Sequence, residues 1–92
     1  MGVIREHVRF IGKVQGVSFR YTSSNYANQL GLTGWVRNED DGSVEMEVQG
    51  SPELINQLFE IMKHVSSYIV IDTIEEEIIP VVKDETAFII KY

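Results

Sequence analysis

The chain has 92 residues, a formal net charge of −6 and no cysteine. That length suits one domain, residues 1–92, and the missing cysteine excludes disulfides, thiolate metal sites and a cysteine nucleophile. The acidic balance argues against nonspecific binding to nucleic acid or to an anionic membrane, and no signal peptide or apolar run of roughly 18 residues is visible. A cytoplasmic monomer is expected. The charge is uneven: residues 1–38 carry five basic residues against Glu6, a balance of +4, whereas residues 39–92 carry three lysines against 13 acids, a balance of −10. A small anion can therefore be drawn to the basic part.

Residues 5–13 read as a strand, because Val8 and Phe10 alternate with His7 and Arg9. A helix begins near Phe19 to Tyr21 and carries Ser23, Ala27 and Leu30 at helical spacing, with Tyr26 beside them. Gly31 suits the left-handed residue that ends a helix, with Leu32 folding back onto the last turn. A second strand covers about 34–38, and Asp41-Gly42 signals a tight hairpin. In the third strand, residues 43–49, Val44, Met46 and Val48 face one way and Glu45, Glu47 and Gln49 the other. After Gly50, Ser51 suits an N-cap and Pro52 the first helical position. Leu54, Ile55, Leu58, Phe59, Met62 and Val65 then make one apolar stripe. A fourth strand is expected over about 68–78. Pro80 and Lys83-Asp84-Glu85 interrupt the chain before a short last strand, 87–90. This order predicts an α+β, ferredoxin-like βαββαβ sandwich: an antiparallel sheet, both helices on one face, and a short extra C-terminal strand. Glu75-Glu76-Glu77 reads as a solvated edge that discourages strand addition.

The stretch from Gly12 to Arg20 lies where the first strand gives way to the first helix. Glycine opens backbone angles closed to other residues and admits a ligand close to the main chain. A helix start offers unpaired N–H groups and the positive end of its dipole, which together suit a phosphate. The main-chain N–H groups of Gln15, Gly16, Val17, Ser18, Phe19 and Arg20 can surround phosphoryl oxygens, and the Arg20 guanidinium can grip two of them. The same residues also fit a tight turn with a surface arginine. The predicted topology runs the first two strands parallel, so Asn38, late in the second, arrives beside the Gln15–Arg20 turn. Its amide can hold a water against a bound phosphate; the position equally fits a residue that caps the hairpin.

Two stretches carry a family resemblance. Gly12, Val14, Gln15, Gly16, Val17, Phe19 and Arg20 resemble the first acylphosphatase signature. Gly34-Trp35-Val36-Arg37-Asn38, followed by Gly42, Val44 and Gly50, resembles the second. The resemblance covers nearly the whole chain. It implies hydrolysis of acyl phosphates to a carboxylate and inorganic phosphate without metal or cofactor, with Arg20 as the phosphate-binding arginine and Asn38 as the water-orienting asparagine. Residues 64–68 depart from the pattern, lacking the Gly-Pro-rich turn often found there.

The remaining residues offer little competing chemistry. His7 and His64 have no partner at triad or metal-ligand spacing and read as surface histidines. Asp40 and Asp41 read as turn residues. Phe19 and Trp35 read as core, although either can touch an aromatic acyl group. Arg37 can steer an anion or pair with an acid near the hairpin, and Ser18 can donate a hydroxyl but has no base to make it a nucleophile. An RNA-binding sheet wants exposed aromatics on its central strands, where Glu45 and Glu47 stand instead. A catalytically idle anion-binding or ligand-sensing module is the main alternative. The chain starts at Met1 and ends soon after the last strand, as expected of a free-standing domain rather than part of a larger carbamoyl-transferring enzyme.

Overall fold

The computed structural model describes residues 2–92, so Met1 of the expected domain lies outside the described residues. Along the chain follow β1 (Ile4–Lys13), α1 (Phe19–Gln29), β2 (Thr33–Asn38), β3 (Val44–Gly50), α2 (Pro52–His64), β4 (Val70–Ile79) and β5 (Phe88–Ile90). Local chemistry sets several boundaries. Ser51 Oγ accepts from the Leu54 N–H at 3.4 Å, and Pro52 opens α2 where its missing N–H costs nothing. Beyond α1, Gly31 turns left-handed at φ 73°. Its N–H donates to the Asn28 carbonyl at 3.1 Å and the Leu32 N–H to the Ala27 carbonyl at 2.9 Å. This is a Schellman turn, and it buries Leu32 against the core. In the turn after α2, Ser66 does the work of the absent Gly-Pro pair: its Oγ accepts from the Tyr68 N–H at 3.1 Å and its carbonyl from the Ile69 N–H at 3.3 Å.

The strands lie in the order β4-β1-β3-β2-β5. β3 is antiparallel to both β1 and β2, so β1 and β2 run the same way and end at the same end of the sheet, here called the upper end. The ferredoxin-like arrangement is present, with one addition. β5 pairs parallel with β2, Ile90 beside Val36, which makes the sheet mixed rather than wholly antiparallel. The reason is the path of the chain. β4 descends on one edge and finishes beside Arg5, the lower end of β1. Residues 80–87 cross beneath the sheet to the opposite edge, from which β5 can only climb. The crossing is held by Gln49, whose side chain exchanges two 2.9 Å bonds with the main chain of Val82. Arg5 bonds Glu85 at 2.8 Å on the same segment.

Both helices pack on the face that carries Val8, Phe10, Met46 and Val48. Phe10 meets Phe19 of α1 at a ring-centroid separation of 4.9 Å and Phe59 of α2 at 5.6 Å. The other face of the sheet is a lattice of ion pairs. Arg5 bonds Glu47 and Glu85, Arg9 bonds Glu75 and Asp41, and Arg37 bonds Glu39 and Glu45. His7 is half-buried in that lattice and bonds Glu45, so it is not a plain surface histidine; His64 is exposed. Burial pushes the Glu45 carboxyl up, yet hydrogen bonds from His7 and Arg37 prevail and hold it below its ordinary value. Trp35 also lies on this face, between Arg37 at 5.1 Å and Lys91 at 4.5 Å from its ring centroid. It is therefore not core, because its strand turns Val36, not Trp35, toward the helices. Phe19 is core as expected.

Gly12 has a different use from the one its sequence position suggests. It sits at a bulge in the β1–β4 ladder with φ 144°, where a Cβ would strike the Val70 carbonyl oxygen. It brings β4 close to β1; Gly16 is the glycine that serves the loop above. β4 is an edge strand, and Glu75, Glu76 and Glu77 are exposed on it. Alternation turns Glu76 to the helix side, where it meets the buried Glu6. Burial first, and the Glu76 carboxylate second, push the Glu6 carboxyl up to about 7. Because this value exceeds that of the unfolded chain, the folded state holds the extra proton, and stability falls as pH rises from about 4.5 through 7. Thermal unfolding of the wild type is expected to show this decline, on the order of 1–2 kcal/mol after solvent screening. Glu6→Gln should flatten it, since an amide donates to Glu76 at every pH.

Candidate active site

The upper ends of β1, β2 and β5 and the start of α1 enclose a cavity of about 350 Å³. From the loop after β1, Val14, Gly16 and Ser18 line it. Gly16 at φ 73° and Ser18 at φ 64°, ψ 24° are both left-handed, with Val17 between them at negative φ. Alternation of this kind turns successive N–H groups toward one side and makes a concavity suited to an anion. The side chains of the loop divide accordingly. Gly16, Ser18 and Arg20 line the cavity, Val17 packs toward the core, and Phe19 is buried while still touching the cavity wall. Ser18 occupies the N-cap position of α1 but makes no side-chain cap bond, so the first-turn N–H groups are not taken up by its hydroxyl.

Gln15 is not among the cavity-lining residues, and its side chain has a role that the sequence reading did not foresee. Its Nε2 donates to the Glu39 carbonyl at 2.7 Å and to the Ser43 carbonyl at 2.8 Å. These two carbonyls flank the β2–β3 hairpin. Gln15 thus ties the loop directly to the turn that follows Asn38. Nothing in the sequence signals this beyond a polar residue beside a glycine, since its partners lie 24 and 28 residues away. Asn28 was missed for the same reason. From α1 it exchanges two 3.0 Å bonds with the main chain of Phe88 and fastens β5 to the helix.

Asn38 stands at the top of β2 and lines the cavity together with Arg20. The hairpin does not need it as a cap. Asp41 accepts from the Ser43 N–H at 2.9 Å and from its hydroxyl at 2.6 Å, and the Glu39 N–H donates to the Ser43 carbonyl at 2.9 Å. Asp41 is therefore the turn residue expected. The Oδ1 of Asn38 is buried and has no hydrogen-bond partner among the described residues. A buried polar atom in that condition is costly unless something occupies the space beside it. Arg20 differs from the other arginines in the same sense. Among the described residues it pairs with no carboxylate, and its guanidinium lies 5.0 Å from the ring centroid of Tyr92. Arg37 is taken up by Glu39 and Glu45, which decides its role in favour of pairing.

Comparison with known proteins agrees with this architecture. The chain matches the acylphosphatase family model over residues 6–90, and it belongs to the acylphosphatase family. It is 41% identical over 90 residues to the acylphosphatase of Caldivirga maquilingensis, covering 97% of this chain and 95% of that one. With the acylphosphatase of Thermococcus kodakarensis it is 49% identical over 55 residues, 60% of each chain. The matched stretch spans 55–60% of the length of that relative and three others of similar rank. The crystal structure of acylphosphatase from Bacillus subtilis superposes with a TM-score of 0.88 at 30% identity, covering 97% of this chain and 99% of that one.

The Gln15 strut gives a direct test. Gln15→Ala should lower stability in urea by about 1–2 kcal/mol, the net value of two such bonds, and should weaken competitive inhibition by inorganic phosphate. Lowered stability with unchanged inhibition would make Gln15 a strut with no bearing on the cavity.

Proposed function

We propose that the chain hydrolyses acyl phosphates to a carboxylate and inorganic phosphate. In this reading the main-chain N–H groups of Gln15, Gly16, Val17, Ser18, Phe19 and Arg20 surround the phosphoryl oxygens, and the Arg20 guanidinium neutralises their shared charge. Asn38 holds a water by its buried Oδ1 for in-line attack on phosphorus. The water oxygen forms the new bond to phosphorus as the bond to the acyl oxygen breaks, and the water's protons pass to phosphate and solvent. The leaving carboxylate has a pKa of roughly 4 and departs unprotonated. The reading therefore asks of the chain only positioning and charge stabilisation, the usual means of phosphoryl transfer.

The observation that carries it is the pairing of two unmet groups in one cavity: among the described residues, Arg20 has no carboxylate partner and the buried Asn38 Oδ1 has no donor. The reading extends to a monomer, since each group that the proposed reaction uses comes from one chain, and to the cytoplasm, with which a sequence free of cysteine is compatible. No helix among the described residues is long and apolar enough to cross a membrane.

Arg20→Ala and Asn38→Ala should each stay folded by circular dichroism and lose about 100- to 1,000-fold in kcat/KM on benzoyl phosphate, the scale of removing one preorganised hydrogen-bonding group from an active site; Arg20→Ala should lose at least that much. Wild-type kcat in Asn38→Ala would remove the water-holding role. Tight phosphate binding without turnover in the wild type would favour an anion-binding module instead.

A further inference from the structure

A phosphoryl group with one water does not fill this cavity, given that a water takes up about 30 Å³ of liquid against a volume of about 350 Å³. The rest of its wall is apolar. Tyr21 follows Arg20 on the first turn of α1, Ile90 ends β5, and Tyr92 lies two residues further on. Tyr21 is 66% exposed and Tyr92 is 96% exposed. Single exposed aromatics are ordinary, but here two flank the same arginine at the rim of the same cavity. Neither the core nor the sheet accounts for them. Of the two aromatics that the sequence offered to an acyl group, Phe19 lines the cavity but is 2% exposed, and Trp35 is on the opposite face under Arg37 and Lys91.

We infer that Tyr21, Ile90 and Tyr92 form a subsite for the acyl group, and that it selects aromatic or bulky apolar acyl phosphates over acetyl phosphate. This rests on the reading of the cavity as an acyl phosphate site. With the phosphoryl end fixed at Arg20, the acyl end projects through the rim, where a benzoyl ring can lie against the two tyrosine faces and the Ile90 side chain. The contact removes apolar surface from water and adds ring-to-ring attraction. An acetyl group is too small to reach both rings. The tyrosine hydroxyls play no part, so phenylalanine serves equally. Asn28 acts here as a positioning residue, since its two bonds to Phe88 hold the strand that delivers Ile90 and Tyr92.

Two measurements on the full chain test the subsite. The first is the ratio of kcat/KM on benzoyl phosphate to that on acetyl phosphate. The second is the ratio of dissociation constants for the non-hydrolysable benzoylphosphonate and acetylphosphonate. Each is taken for the wild type, the double variant Tyr21→Ala/Tyr92→Ala and the double variant Tyr21→Phe/Tyr92→Phe. Using ratios cancels any change in how Arg20 grips the phosphoryl group. The wild type should prefer the benzoyl ligand, the alanine variant should lose about three- to tenfold of that preference, as aromatic contacts of this size imply, and the phenylalanine variant should keep it. Ratios unchanged in the alanine variant would overturn the subsite. A wild type that turns over neither substrate, yet shows the phosphonate preference and its loss, would overturn the proposed reaction and leave the subsite standing. Equal phosphonate affinities in the wild type would overturn the subsite whatever the turnover.

Discussion

Pairing of charge governs this molecule. The chain has four arginines, and three of them, Arg5, Arg9 and Arg37, are spent on carboxylates across the open face of the sheet. Those pairs join β1 to β3, β4 and the lower crossing, and β2 to β3, so they serve the fold and leave none of the three guanidiniums without a carboxylate. Arg20 sits on the other side of that division. It stands at the start of α1, where the helix dipole is also positive, with an aromatic ring rather than a carboxylate beside it. Within an acidic protein, Arg20 is thereby an arginine that no carboxylate neutralises among the described residues. The lattice achieves this by committing the neighbouring acids, Glu39 and Asp41 among them, to other partners.

The geometry of the site follows from the strand order. With β3 between them, β1 and β2 run parallel and end together. The loop after β1 and the last residue of β2 then share one rim, and Gln15 fixes their separation. The loop itself holds a non-glycine residue, Ser18, in a left-handed conformation, which costs about 1–2 kcal/mol. That strain is retained where the main chain is turned toward the cavity, and glycine takes the other left-handed position.

Much of this was legible in the sequence because it is encoded locally. Ser51-Pro52 marked the start of α2, Gly31-Leu32 the end of α1, and alternation at Val44, Met46 and Val48 the buried face of β3. The meeting of Arg20 and Asn38 followed from topology alone. What escaped depends on partners distant in sequence. The parallel direction of β5 is set by the crossing of residues 80–87 beneath the sheet. The struts made by Gln15 and Asn28 are contacts between side chains and remote main chain, which no periodicity reveals. Trp35 was misplaced because its motif suggested packing, whereas the phase of β2 turns it to the open face between two cations. Glu76 looked solvated within an acidic run, yet strand alternation turns it toward a buried glutamate.

The central claim is that a small anion settles in the loop beside Arg20 and Asn38 and nowhere else among the paired arginines. Titration of the wild type with inorganic phosphate, followed by amide NMR, reads this residue by residue. The account predicts saturable shifts at the main-chain amides of Gly16, Ser18 and Arg20 and at the side-chain amide of Asn38, with Arg5, Arg9 and Arg37 unmoved. Shifts centred on the open face, or a loop that stays silent as phosphate saturates, would contradict it.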